Sequence, residues 1–554
     1  MSTSDVRDIL KRIEEQLATV VDLDPLAQQA FEELLNLVEH LVADQETLRH
    51  EVRRLKQQLD SKRRAKTTNS ADDDKPDSDH SSEKHRRKRQ KPKPRSASDR
   101  RSFKDLKIHE TIECPIDPAT LPPDAVRVED ESVIVQDIEI KPRNIRFQRS
   151  VYYSAAEDKF FRAPLPDGYN VGDFGADLRA LILSLKYCGN MSEPKIGAFL
   201  QHFDVQVSAG SLSNILTNTA RSFEGEFHDW FTAGLASTSY QQTDDTSARV
   251  GGQFWHTHIV CNPYYTAFFT RPRKDRLTVL EVLQNTSDPR FRLGENTLQL
   301  LQSEFDIPRK WRLALEQLGE VELDRVSLAA LLDEWFGAGN QQLRTAIEHA
   351  SATVYYQQQT TVPVIETLVC DDARQFKSIT DHLALCWIHA GRHYEKLSPV
   401  VPRHAALLDA FQERYWDYYA ALQRYRDGPT APEADRLRLE FDELFSTRTG
   451  YAALDDRIAK TAAKKRELLT VLDHPEVPLH NNAAELGARV SARRRDVSLH
   501  SRSVRGARAM DIFTTLVQTC EKLGISAYAY LRDRLRRSYA MPPLAASICT
   551  AATV

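Results

Sequence analysis

Residues 364–372 read VIETLVCDD and residues 238–250 read TSYQQTDDTSARV. Both are short β-rich runs carrying an acidic doublet, Asp371–Asp372 in the first and Asp244–Asp245 in the second. An aspartate at the end of a buried strand projects from the sheet rim, where a cation can reach it. The same pattern also serves as a turn or helix cap, so by itself it leaves both readings open. Outward from these runs, QFWHTHIVCN (253–262) and YYTAFFTR (264–271) read as strands, and LALCWIHAGR (383–392) as a fifth. DRLTVLEVLQ (275–284) returns to helical spacing. Two long helical stretches interrupt the mixture: 287–353, polar, and 393–475, aromatic and charged, with ERYWDYYAALQRY at its centre.

Paired carboxylates on strand ends suit one chemistry in particular. Phosphoryl transfer between nucleic-acid strands uses two metal ions about 3.5–4 Å apart. Mg²⁺ prefers hard oxygen ligands and keeps several waters, so two or three carboxylates suffice. A third can come from a helix crossing the sheet. Glu485, in PLHNNAAELGARV (478–490), stands just inside such a helix start, with Asn481 and Asn482 as candidate caps.

The N-terminal part is organised differently. Leu34, Leu41, Leu48 and Leu55 recur every seventh residue, with Phe31, Val38, Val52 and Leu59 at the partner positions and Gln45 as the polar exception. This predicts an oligomerising coiled coil within 1–60; an amphipathic helix packed on its own chain is the alternative. Residues 61–104 are polar and charged, with the basic run KHRRKRQKPKPR (84–95), and read as a disordered linker that can contact a polyanion. SVIVQDIEI (132–140) and RFQRSVYYS (146–154) alternate, predicting a small β module over 105–168. Residues 169–230 read as helical. Within them, SEPKIGAFLQHF, DVQVSAG and SLSNILTNTARSF form a helix-turn-helix pattern, with Ser208 as N-cap and Ser211, Ser213 and Asn214 toward DNA.

The bulk numbers agree with a multidomain globular chain. It has 554 residues, 41% hydrophobic and 28% charged, and a net charge of −4 that hides basic clusters at Lys84–Arg101 and Arg489–Arg508. Seven scattered cysteines, with no CxxC pair, favour neither a disulfide framework nor an all-cysteine metal site. With no apolar signal core and no run approaching the ~18 apolar residues of a membrane span, a cytoplasmic protein without a membrane partner is expected.

Several runs, in order, resemble the insertion-sequence-66 transposase family, DDE enzymes with a ribonuclease-H-like core. TDDTSARVGGQFWHTHI (243–259) resembles its first-aspartate strand, with Asp244 on the aspartate and Asp245 in a glutamate place. VCDDARQF (369–376) resembles the second, with Asp371 on the aspartate and Phe376 on the following aromatic. LCWIHAGRHYEKL carries a Cys-x-x-His-x-x-Arg signature through Cys386, His389 and Arg392. HPEVPLHNNAAELGARVSARRR (474–495) resembles the final motif and puts Glu485 third, with Arg489 and Arg495 on its arginines. RGARAMDIFTTLVQTCEKLGISAYAYLRDRL (505–535) resembles the C-terminal tail.

The resemblance implies an α+β multidomain protein. Its parts are a coiled coil at 1–60, a basic linker at 61–104, a β module at 105–168 and a helix-turn-helix region at 169–230. A catalytic core follows at 231–510, with helical insertions at 287–353 and 393–475, then a helical tail at 511–554. It implies Asp244, Asp371 and Glu485 as catalytic ligands of two Mg²⁺ ions, with Mn²⁺ as a substitute, and His389 in support. Arg392, Arg489, Arg493, Arg494 and Arg495 are expected to touch DNA. The implied activity is cleavage at transposon ends and strand transfer into target DNA by a homo-oligomer, often with small companion proteins. A docking protein that has lost catalysis, or a nuclease of the same fold, are the rival readings.

Three departures stand out. The family's two zinc-binding cysteine pairs are reduced to Cys114, with Asp117, Ser154 and Glu157 in the other places, so no stoichiometric zinc is expected in the chain. Asp496 replaces the lysine of an Arg-Lys pair. The separation between Asp244 and Asp371 is long for the family and contains the 287–353 insertion.

Overall fold

The computed structural model describes residues 9–13, 24–64, 107–117, 120, 122, 132–166, 169, 174–305, 307–337 and 339–553. Its organising element is a five-stranded sheet. The strands are β3 (Tyr240–Val250), β4 (Gln253–Asn262), β5 (Tyr265–Arg271), β8 (Thr367–Cys370) and β9 (His382–Leu385), in the order β5-β4-β3-β8-β9. β3, β4 and β5 form an antiparallel meander, and β8 and β9 then add in parallel to β3. The sequences follow these roles. The parallel strand TLVC is buried throughout, as expected where both faces are covered. The antiparallel β3 is buried at its start and half-exposed beyond Asp244.

Helices close both the face and the edge of this sheet. Asn482–Ser498 lies across β3 and β4, and Gly487 permits the close approach: a Cβ there would stand 2.8 Å from Ile259 Cγ2. Val504–Lys522 runs along the outer strand β5. The N–H groups of Thr270, Phe268 and Thr266 donate to Asp511 Oδ2 (2.7 Å), Thr515 Oγ1 (3.0 Å) and Thr519 Oγ1 (3.4 Å). Side chains four residues apart on one helical face thus satisfy alternate N–H groups of a sheet edge that would otherwise be open to pairing. Because this helix spans position 511, the expected boundary between core and tail falls inside one element.

The long interval between β5 and β8 holds helices Glu295–Glu304, Arg309–Leu318, Arg325–Phe336 and Gln341–Gln358, with a small hairpin of β6 (Phe291–Leu293) and β7 (Val321–Leu323). Between β9 and the Glu485 helix, Pro402–Asp427, Ala431–Phe445 and Ala452–Ala462 pack around Trp387 and its aromatic neighbours. Both stretches are mostly helical, as their spacing predicts, but the first also carries the β6–β7 hairpin. The helix pair Glu193–Gln201 and Ala209–Asn218 also forms. Ser208 caps the second helix by accepting from Ser211 N at 3.0 Å.

Three expectations change. SVIVQDIEI forms no strand; residues 132–150 are exposed, and the strands of the 105–168 region among the described residues are the hairpin β1 (Val151–Ser154) and β2 (Lys159–Arg162). LALCWIHAGR is strand only to Leu385, after which Cys386 caps a helix, Trp387–Glu395. Third, the N-terminal helix runs Pro25–Arg64, past the expected end at 60, and docks in cis. Leu35 and Val42 are buried, and Phe31, Leu35 and Val38 pack with Leu10 and Val401. Asn36 Nδ2 donates to Gly450 O (2.8 Å), Ala452 N donates to Asn36 Oδ1 (2.9 Å), and Glu39 Oε2 accepts from Val401 N (3.0 Å) at the start of helix Pro402–Asp427. Phe31 and Val38, expected in an intermolecular seam, therefore face the chain's own body. Leu34, Leu41, Leu48 and Leu55 stay exposed. The basic run 84–95 lies outside the described residues.

Candidate active site

Strand register brings two of the carboxylates level. β3 and β8 are parallel with Gln242 opposite Val369, so two residues on, Asp244 stands beside Asp371, the first residue past β8. Glu485 comes from the first turn of helix Asn482–Ser498 and is 5% exposed. The start of this helix is fastened to both strand systems. Asn481 Nδ2 donates to Thr243 O (2.7 Å), Gln242 Nε2 to His480 O (2.9 Å), and Asn481 N to Cys386 Sγ (3.3 Å). Asn481 occupies the N-cap position, but its side chain makes no cap bond and holds the strand instead.

The pleat separates the doublet at 244–245. Asp244 lies on the face of β3 that carries Gln242 and Thr246, beneath the Glu485 helix. Asp245 points the other way, where Lys274 Nζ (3.3 Å) and Gln375 Nε2 (3.2 Å) hold its carboxylate. Asp372 pairs with Lys464. Among the described residues Asp244 and Asp371 form no ion pair. Burial, followed by the charges of Asp371, Asp245 and Glu485, pushes Asp244 up to about 8, against the pull of the Asp245 N–H. Burial also raises Asp371, helped by Asp245 and Asp372 and opposed by the Ala373 N–H and Lys274.

Beside these carboxylates, the side-chain oxygens of Asn481 and Asn482 are buried and accept no hydrogen bond. Crowded carboxylates that resist ionisation, next to unsatisfied amide oxygens, are a hard-oxygen donor set suited to hydrated Mg²⁺ or Mn²⁺.

His389 is on the Trp387–Glu395 helix, and its Nδ1 lies 3.5 Å from Glu485 Oε1. One ligand atom each from Cys386, His389 and Glu485 falls within 4.8 Å of the other two. Burial pushes the Cys386 thiol up to about 12, although N–H groups of His389, Asn481 and Ile388 point at it. At neutral pH it is a thiol that accepts hydrogen bonds at a helix start.

The expected DNA-facing arginines divide. Arg493 is exposed, and Arg489 and Arg495 are half-buried; both terminal nitrogens of Arg495 donate to Thr246 Oγ1 at 3.2 Å. Arg494 is buried, donating to Tyr187 O (2.8 Å) and stacking over the Tyr187 ring. Arg392 is 8% exposed. The Arg494 guanidinium is thus engaged inside the fold rather than held out toward a duplex, and both arginines present far less surface than Arg493. Asp496, in place of the expected lysine, is exposed.

Asn214 is exposed, and with Ser211 it lines a cleft of about 790 Å³ that also holds Arg179, Arg221, Arg534 and Arg537. Reading the sequence did not single out Lys274, Gln375, Lys464 or Thr246. Each lies far in sequence from the aspartate or arginine it serves, and a single polar residue carries no signal of such a partner.

Residues 351–509 match the Transposase IS66 family, a span that holds Asp371, His389 and Glu485 and begins after Asp244. Over 324 residues the chain is 33% identical to the uncharacterized protein y4jO of Sinorhizobium fredii (strain NBRC 101917 / NGR234), a match covering 58% of this chain and 99% of that protein.

Proposed function

Since the chain belongs to the IS66 family of transposases, we propose that it cuts DNA at transposon ends and joins the freed 3′-hydroxyl to target DNA, using Asp244, Asp371 and Glu485. The observation that carries this reading is the convergence of three carboxylates: Asp244 on β3, Asp371 just past the parallel strand β8, and Glu485 on a helix fastened to β3, the last two near enough for their charges to raise the Asp244 carboxyl. The strand order β5-β4-β3-β8-β9, an antiparallel meander extended by two parallel strands, supports a ribonuclease-H-like core.

Two Mg²⁺ ions, or Mn²⁺, held by these carboxylates would activate the attacking oxygen and stabilise the leaving one. The chain's own residues orient the parts. Asn481 sets the start of the Glu485 helix, and His389 stands beside the Glu485 carboxylate, its Nδ1 3.5 Å from Oε1. Arg489, Arg493 and Arg495 line the helix that leads away from the site and supply phosphate contacts. The Ser208-capped helix offers Ser211, Ser213 and Asn214 to the duplex. No covalent intermediate with the protein is required. The exposed row Leu34, Leu41, Leu48 and Leu55 supports homo-oligomers that pair two DNA ends, with small companion proteins as further partners.

The test is a strand-transfer assay with labelled terminal-repeat DNA and Mg²⁺. Joined product from the wild type, lost in Asp244→Asn, Asp371→Asn and Glu485→Gln while duplex binding persists, is the expected result. Cleavage without joining would make the chain a nuclease. Binding with neither activity would make it a docking protein. If Asp245→Asn is dead and Asp244→Asn active, Asp245 and not Asp244 is the catalytic member of the doublet.

A further inference from the structure

We propose a second metal site, for a transition metal of borderline softness such as Zn²⁺, formed by Glu366, His382 and His474 at the end of the sheet opposite the three carboxylates. β8 and β9 are parallel and paired from Thr367 and His382 onward. Glu366 immediately precedes β8 and His382 opens β9, whereas Asp371 follows the far end of β8. The backbone joins the two residues directly, His382 N donating to Glu366 O at 3.2 Å. His474 arrives from the turn after helix Thr470–Asp473, which is held to β9 by Thr470 Oγ1 donating to Leu383 O at 2.9 Å.

The rings of His382 and His474 lie 4.7 Å apart, and one ligand atom from each of Glu366, His382 and His474 falls within 4.8 Å of the other two. Bonds of about 2.0–2.1 Å in a tetrahedron put ligand atoms roughly 3.3 Å apart. The difference is within the reach of side-chain rotation, since Glu366 is exposed and both histidines are half-exposed. The backbone beneath them is already held. Arg426 Nε donates to Pro475 O (3.0 Å), and Arg438 pairs with Asp473 (2.6 Å), on either side of His474. Glu476 adds a carboxylate at the same rim, its Oε1 3.6 Å from His474 Nδ1 and bonded by Ser239 Oγ at 3.0 Å.

The donor set decides the ion. Two imidazole nitrogens and one carboxylate oxygen suit Zn²⁺, Ni²⁺, Co²⁺ or Cu²⁺ and not Mg²⁺, which selects all-oxygen shells. Three protein ligands leave a fourth position for water. The bound ion ties together the entries of β8 and β9 and the turn from which HPEVPLHNNAAE (474–485) runs to Glu485. Its role is to fix that segment. This zinc is independent of the reduced cysteine pairs near Cys114 and Ser154.

Full-length protein stripped with chelator and titrated with ZnCl₂ tests the site. The expected result is one tightly held Zn²⁺ per chain and a zinc-dependent rise in Tm. Both should be lost, with at least tenfold weaker binding, in His382→Ala and in His474→Ala; the more conservative His382→Gln covers the case in which an alanine variant misfolds. Cys386→Ser should keep the ion, and Co²⁺ in its place should show no thiolate charge-transfer absorption. Zinc retained in both histidine variants, zinc lost in Cys386→Ser, a cobalt–thiolate band, or no tight zinc in the wild type would each overturn the proposal.

Discussion

Asn481 Nδ2 donates to the carbonyl of Thr243 at 2.7 Å, joining the residue before the Glu485 helix to the residue before Asp244. The bond is buried, so removing the donor leaves a carbonyl without a partner, at a cost of about 1–3 kcal/mol. More specifically, it frees the helix start to drift from the strand. Asn481→Ala should lower strand transfer at least tenfold with duplex affinity unchanged within about twofold, because a misplacement near 1 Å can cost on the order of 10² in rate. Activity equal to wild type, in a variant shown folded by its Tm, would mean that Glu485 is positioned by other contacts.

Metal affinity should depend on pH through Asp244. Its ordinary value is 3.8 and burial raises it to about 8, so the folded chain keeps a proton that the unfolded chain has lost. Stability from this group is fully present below about pH 4 and falls as pH rises toward 8. Ligation needs the carboxylate, so between these limits binding of Mn²⁺ must expel the proton and strengthen about tenfold per pH unit. Calorimetry in two buffers of different ionisation enthalpy should show one proton released at pH 6.5 and far less at pH 9. The Mn²⁺-induced gain in Tm should be larger at pH 8 than at pH 6. A pH-independent affinity from 6 to 8 would remove Asp244 from the ligands.

The arginine helix predicts two kinds of loss. Arg489→Ala with Arg495→Ala should weaken binding to every duplex and flatten the log–log salt slope by roughly two units, about one per phosphate contact. Arg494→Ala should leave the slope unchanged and lower stability by about 1–3 kcal/mol, because its guanidinium bonds Tyr187 O inside the fold. Affinity measured across a salt series, with a denaturant melt of each variant, separates them. A flattened slope in Arg494→Ala would return that residue to the interface.

Self-association should map to one row of the N-terminal helix. Leu41→Asp with Leu48→Asp changes residues that are 59% and 61% exposed, and should dissociate the oligomer without lowering Tm. Leu35→Asp changes a residue 2% exposed against Val401 and should loosen the docked helix. Sedimentation and melting of the two variants check this; an oligomer that survives the double substitution would assign assembly to another surface.

What could be read from the sequence depended on whether neighbours in sequence are also neighbours in space. TLVC and the Ser208 cap were legible because burial and capping are settled within a few residues. SVIVQDIEI alternates like a strand, yet alternation specifies only a side of a ladder, and no partner strand meets it among the described residues. The N-terminal helix has apolar residues on two adjacent stripes, and spacing cannot tell which stripe its own chain covers. Arg493, Arg494 and Arg495 look like one patch in sequence, but a helix turns about 100° per residue and sends the middle one inward. Asp244 could be preferred to Asp245 by resemblance; the physical distinction, which of the pair a lysine already neutralises, needs the fold.

The docking of the N-terminal helix has a mechanical consequence. At about 1.5 Å per residue its 40 residues span about 60 Å. Phe31, Leu35 and Val38 clamp its first half to the body, while residues 43–45 and 47–56 are exposed. The helix is therefore a strut welded at one end, not a tether. Two chains joined along the outward leucines would meet with a fixed angle and spacing between their catalytic rims. That geometry, more than any flexible linker, would dictate how far apart two DNA ends can lie and still be processed together.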